Sequence, residues 1–158
     1  MKISTGVEWA LHCCLALSGI DRPVPSARLA ELSGLSSSYL AKQLQALSRA
    51  GLVRSVQGNA GGYVLTRTAE EISVLDVVQA IEGTEPMFEC TEIRQRGPAA
   101  AAPEDCLKAC AVHRAMLAGE QAWRGALREI KLSDIRNEMA GEIGPERMKV
   151  MLEYLQPS

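Results

Sequence analysis

Cys90, Cys106, Cys110 and His113 fall in one short stretch of the chain, and thiolates beside an imidazole are the donors of zinc and iron sites. Fifteen residues separate Cys90 from Cys106, among them the loose run Gly97-Pro98-Ala99-Ala100-Ala101-Ala102-Pro103, while three separate Cys106 from Cys110. An amphipathic pattern resumes near Asp105, so Cys106 and Cys110 stand at i and i+4 if a helix has begun there. The same spacing recurs at Glu8 and His12, whose side chains would converge on one point of a helix surface; a solvated pair is the plainer reading. Cys13 and Cys14 are expected to pack inside that first helix, since free cysteine is among the most buried residue types. The N-terminal residues lack the uninterrupted apolar region of a secretory signal, so a cytoplasmic location is expected. In that reducing compartment an odd count of five cysteines argues for metal or redox chemistry rather than a disulfide framework.

These residues need a scaffold, and 158 residues suffice for one core with an extension. With 23% charged and 47% hydrophobic residues the composition is that of an ordinary globular protein, and no apolar run approaches the roughly 20 residues of a membrane span. No membrane role is expected. The net charge of -2 divides unevenly: residues 1–68 carry +4 and residues 69–158 carry -6. A positive front half suits a polyanion.

Residues 4–18 place Val7, Leu11, Cys14, Leu15 and Leu17 at helical spacing, and Gly19 with Pro23 and Pro25 ends that helix. A short helix over Ala27–Leu32 stops at Gly34, and a third, capped from Ser36–Ser38, carries Leu40, Leu44 and Leu47 until Gly51. Two β-patterned runs, Leu52–Val56 and Tyr63–Thr66, flank a Gly- and Asn-rich turn. Ser73, with Asp76 three residues on, caps a helix ended by Gly83. Two helices across a tight turn, followed at once by a hairpin, make a winged helix-turn-helix, so the predicted fold is mainly α with a small β-hairpin wing. Its third helix would enter the major groove of duplex DNA. Ser37, Ser38, Tyr39, Lys42 and Gln43 are the candidate contacts there, with Arg28, Arg54, Gln57 and Asn59 reaching phosphates or the minor groove.

The strings Tyr39–Leu44, Leu47–Gly58, Gly61–Leu65 and Val77–Gly83 together resemble the Rrf-two family, bacterial winged-helix regulators of the IscR and NsrR kind. The resemblance covers roughly residues 1–118, and it implies a homodimer, a palindromic double-stranded DNA target and an iron-sulfur cluster that controls DNA affinity. Familiar members hold their cluster through three closely spaced cysteines, a pattern from which the spacing here departs. The segments Val7–Cys14 and Cys90–Pro98 are most similar to the redox-sensing RsrR branch, which implies a 2Fe-2S cluster. Such a cluster takes two protein ligands per iron, and two i, i+4 pairs match two irons. The expected ligands are therefore Cys106 and Cys110 of one chain with Glu8 and His12 of its partner, one cluster per subunit and two per dimer; the cross-subunit arrangement is implied by the resemblance alone. Cys90 or His113 could replace members of this set. Trp9, next to Glu8, is the candidate redox relay.

The expected domains are the winged helix over 1–83, a cluster-binding loop over 84–113, a dimerisation helix over 105–132 and a helical tail over 133–158 that packs on it. Val112, Met116, Gly119, Trp123, Ala126 and Ile130 recur in steps of four and three, the seam of a helix pair. Other readings are an iron-sulfur electron or cluster carrier on a winged-helix scaffold and a zinc-stabilised DNA-binding protein without redox sensing. No nucleophile triad or phosphate-binding loop supports an enzyme.

Overall fold

In the computed structural model, which describes residues 2–156, the apolar spacing of the first segment becomes helix α1 (Thr5–Ser18), with Val7, Ala10, Cys13, Cys14 and Leu17 buried. Helix α2 (Ser26–Ser33) ends at Gly34 in the left-handed conformation, φ 63°, where a Cβ would be strained. Helix α3 (Ser37–Arg49) opens on Ser36, whose Oγ accepts the Tyr39 N–H at 3.3 Å. Its Leu40, Leu44 and Leu47 are fully buried. Strands β1 (Val53–Val56) and β2 (Gly62–Leu65) pair antiparallel, Val53 opposite Leu65 and Val56 opposite Gly62. Val24 and Tyr63 exchange both backbone hydrogen bonds, at 3.0 and 2.9 Å, which ties β2 to the chain before α2. Helix α4 (Val74–Glu82) starts with the expected capping box: Ser73 Oγ accepts the Asp76 N–H at 3.1 Å and Asp76 Oδ2 accepts the Ser73 N–H at 2.8 Å.

Beyond these, helix α5 (Ala111–Glu129), α6 (Leu132–Ile143) and α7 (Pro145–Leu155) complete the element order. The chain divides into two compact units: one comprises Lys2–Gly83 with the chain from Leu127 onward, the other Thr84–Ala126.

In the first unit the C-terminal helices belong to the winged-helix core, which corrects the expectation that they pack on the long helix. Leu132 and Leu155 are buried in that core, α6 lies against α1, and α7 lies against α2 and α6. Backbone bonds enforce this arrangement: Leu132 N–H donates to Ile72 O at 3.0 Å and Val74 N–H to Ile130 O at 2.9 Å. An apolar stripe states that a helix has a partner without stating which, and here the partner is α1 and α2.

The second unit is a long loop and α5. Glu120 fastens the loop's start to the helix, accepting the Met87 N–H at 3.0 Å and pairing with Arg124 at 2.8 Å, while Arg124 donates to Glu85 O at 3.0 Å. Helix α5 begins at Ala111 rather than near Asp105, a second correction. Pro103–Cys106 closes only a 3-10 turn, and the helix is nucleated at Cys110, whose carbonyl accepts the Arg114 N–H at 3.0 Å and whose Sγ accepts the His113 N–H at 3.2 Å. Cys110 thus fills the role of a helix-capping side chain. No residue of α5 is fully buried; Val112 and Met116 on the predicted seam are 64% and 48% exposed.

Candidate functional site

Two clusters of polar side chains stand apart from the core, one in each unit. In the first, the outward face of α3 presents Ser37, Ser38 and Lys42, all exposed, with Tyr39 half-buried and its hydroxyl 3.3 Å from Thr5 Oγ1. Gln43 does not join them. It is 6% exposed and turned toward α1, where a Cβ on Gly6 would meet its amide oxygen at 3.0 Å. The absent side chain of Gly6 makes room for a polar residue in the helix packing, and Gln43 takes it. The exposed amide on this face is Gln45, three residues past Lys42, which the helical period could have indicated. On the wing, Arg54, Gln57 and Asn59 are exposed. Arg28 is engaged elsewhere: its guanidinium lies 5.1 Å from the centroid of the Tyr154 ring, in the contact of α2 with α7.

Glu8 and His12 lie one helical turn apart on the exposed strip of α1, and both edge a depression of about 460 Å³ with Ile135 and Met139. Trp9 is half-buried and, with His12, lines a larger cavity of about 570 Å³ walled by α1, α2, α6 and α7. Cys13 and Cys14 are inert packing residues: burial pushes the Cys13 thiol up to about 12, and burial with the neighbouring Cys13 pushes Cys14 higher still.

In the second unit two of the remaining cysteines lie near one cation. The Arg94 guanidinium lies within electrostatic reach of both Cys106 and Cys110. The Cys110 thiol is held below its ordinary value first by the His113 backbone N–H, then by the Cys90 thiol, the Val112 N–H and Arg94, against an opposing cost of desolvation. A helix N-terminus and a guanidinium are the surroundings that favour a thiolate, the metal-binding form. Cys90, set outside both pairs by sequence spacing, is therefore beside Cys110. His113 packs its ring 6.0 Å from Phe88, and its buried Nδ1 has no hydrogen-bond partner among the described residues.

Among the described residues no group of three or more His, Cys, Asp or Glu side chains is placed to hold a metal ion. The donors Cys106 and Cys110 fit a thiolate-bound metal or cluster in chemistry, and a single chain leaves that set short. The premise that a helix aligns them is corrected: both precede α5, and the loop brings them to Arg94. Arg94, which makes these contacts, is the residue that the sequence did not single out, since nothing there distinguishes it from Arg96.

A model of the family Rrf2, described as iron-dependent transcriptional regulator, matches residues 3–138. The protein rrf2 of Nitratidesulfovibrio vulgaris is 38% identical over 94 residues, 58% of this chain and 63% of that protein, and IscR of Pectobacterium carotovorum is 36% identical over 92 residues, 57% and 56% of the two chains. The chain thus spans about three fifths of the length of these relatives. Among solved structures, CymR of B. subtilis, the global cysteine regulator of that organism, superimposes with a TM-score of 0.63 at 26% identity over 87% of this chain and 98% of that one. IscR of T. potens shares the fold, with a TM-score of 0.67 at 23% identity over 94% and 96% of the two chains. These relatives are transcriptional regulators rather than enzymes, and among the described residues no helix is long and apolar enough to cross a membrane. With 136 of its 158 residues spanned by the family model, the chain belongs to the Rrf2 family of transcriptional regulators.

Proposed function

We propose that the chain works as a homodimer that binds a palindromic operator in double-stranded DNA and whose affinity changes with the redox state or presence of a 2Fe-2S cluster. The observation that carries the reading is the gathering of Cys106 and Cys110 around Arg94 in a chain whose exposed α3 face and wing have the residue types of a DNA reader. Lys42 and Arg54 supply charge for phosphates, and Gln45 and the serines at the start of α3 supply groups for base edges or phosphates. The unburied seam of α5 is the surface that a second copy would cover.

Cys106 and Cys110 would hold one iron, and Glu8 and His12 of the other subunit the second. The donors missing from a single chain would then come from its twin. When bound, the cluster supplies a reversible one-electron change in charge, and imidazole and carboxylate in place of two thiolates make its ligand shell less negative. Trp9, next to Glu8 in α1 and lining the cavity between α1, α2, α6 and α7, would be the residue that feels that change and passes it on.

The test is DNA binding by anaerobically purified protein in oxidised, reduced and cluster-free forms, against operators selected from a random pool. At least about a tenfold difference in affinity between forms is expected, within the range of ordinary allosteric coupling. Equal binding by all three would defeat the switch, and zinc without sulfide on elemental analysis would defeat the cluster. Within the same assay Lys42→Ala is expected to weaken binding about uniformly across sequences and to lower the salt slope by about 1. Gln43→Ala is expected to lower the melting temperature and leave base preference unchanged, because the side chain is packed against α1.

A further inference from the structure

We propose that Arg94 is a positioning residue that closes the loop between Cys90 and Cys106 and fixes a positive charge beside the cofactor-binding thiolates. The proposal rests on the reading of Cys106 and Cys110 as cofactor ligands.

A gap of fifteen residues is the feature that most separates this chain from a compact three-cysteine site. Extended, such a segment would reach roughly 50 Å, so something must fold it back if its ends are to serve one site. The Arg94 guanidinium forks onto Glu92, Nε to Oε1 at 2.6 Å and Nη2 to Oε2 at 2.8 Å, and the same Nη2 donates to Lys108 O at 2.9 Å. The Arg94 carbonyl accepts the Ala101 N–H at 2.8 Å. One residue therefore joins the early part of the loop, its alanine-rich middle and the segment between Cys106 and Cys110.

The cost of this closure is visible in the backbone. Glu92 is, among the described residues, the single non-glycine with positive φ, at φ 51° and ψ 54°. A side chain held in the left-handed region persists where its surroundings over-determine it, and a two-pronged ion pair two residues on does so here. Lysine could carry the charge but could not make the planar fork together with the Lys108 carbonyl bond. Charge and closure are thus separable by substitution.

A positive charge near the irons stabilises the more negative, reduced state. Arg94→Gln is therefore expected to shift the reduction potential to a more negative value and to speed amide hydrogen exchange of residues 92–108 about tenfold in the cluster-free protein, as loss of a charge-assisted bond would. Arg94→Lys is expected to leave the potential near that of the wild type and still show the faster exchange. Wild-type potential and wild-type exchange in both variants would overturn the proposal while leaving the cluster in place. Conversely, wild-type protein purified without iron and sulfide would overturn the cofactor reading and with it the role in redox tuning, and the exchange measurement would then judge the loop-closing role by itself.

Discussion

Co-expression of a Cys106→Ala/Cys110→Ser chain with a Glu8→Ala/His12→Ala chain is expected to yield a mixed dimer with about one 2Fe-2S cluster, whereas each variant alone yields a dimer with essentially none. The first chain still offers Glu8 and His12, the second still offers its two thiols, and only a site shared between subunits can combine them. A site built from these four residues within one chain is dead in both partners, and one built from Cys90, Cys106, Cys110 and His113 of one chain would leave the Glu8→Ala/His12→Ala protein loaded by itself. Serine is chosen at position 110 because Cys110 Sγ accepts the His113 N–H at the start of α5, and a hydroxyl keeps that cap. Loss of metal then reports loss of a ligand rather than of the helix start. Iron and sulfide analysis of the tagged mixed dimer, with wild type near two clusters per dimer, decides the matter; a mixed dimer as empty as the two parents rules the shared site out.

The winged helix was legible because its signals are local. Apolar residues at helical spacing, glycines at 34 and 51, and a Ser-Asp pair at the head of α4 each correspond to a cap, a stop or a buried face in the structure. The loop was less legible. Pro103, Glu104 and Asp105 are a helix-start signature, yet they close only a 3-10 turn, and the bond from Arg94 to the Lys108 carbonyl fixes the chain before α5 can begin. That bond spans fourteen residues, and no periodicity encodes it. Gln43 was misread for a related reason: whether a polar side chain on the edge of a helical stripe faces out or in was decided by Gly6 on another helix. The cysteines themselves were found by type and spacing, but which of them are neighbours depended on the loop.

Leu132→Ala is expected to destabilise the DNA-binding unit by about 2–5 kcal/mol and to lower its melting temperature by on the order of 10 °C. The side chain is fully buried in the core cluster to which α1, α2 and α3 contribute, although it sits after the long helix and far from them in sequence. Its own N–H is bonded to Ile72, and the neighbouring Ile130 carbonyl accepts from Val74, so the segment adds a backbone rung beside the head of α4. A cavity at Leu132 therefore loosens the helices that orient α3, and DNA affinity at 37 °C should fall with the folded fraction. The measurement is thermal unfolding at fixed protein concentration, since dimerisation would couple to stability, with exposed Val150→Ala as the control expected to change stability by less than about 0.5 kcal/mol. Equal melting temperatures for the two variants would remove α6 from the DNA-binding unit. A fall confined to Leu132→Ala would mean that the chain leaves the winged helix at Gly83, makes its cysteine-bearing loop and long helix, and returns to complete the same core.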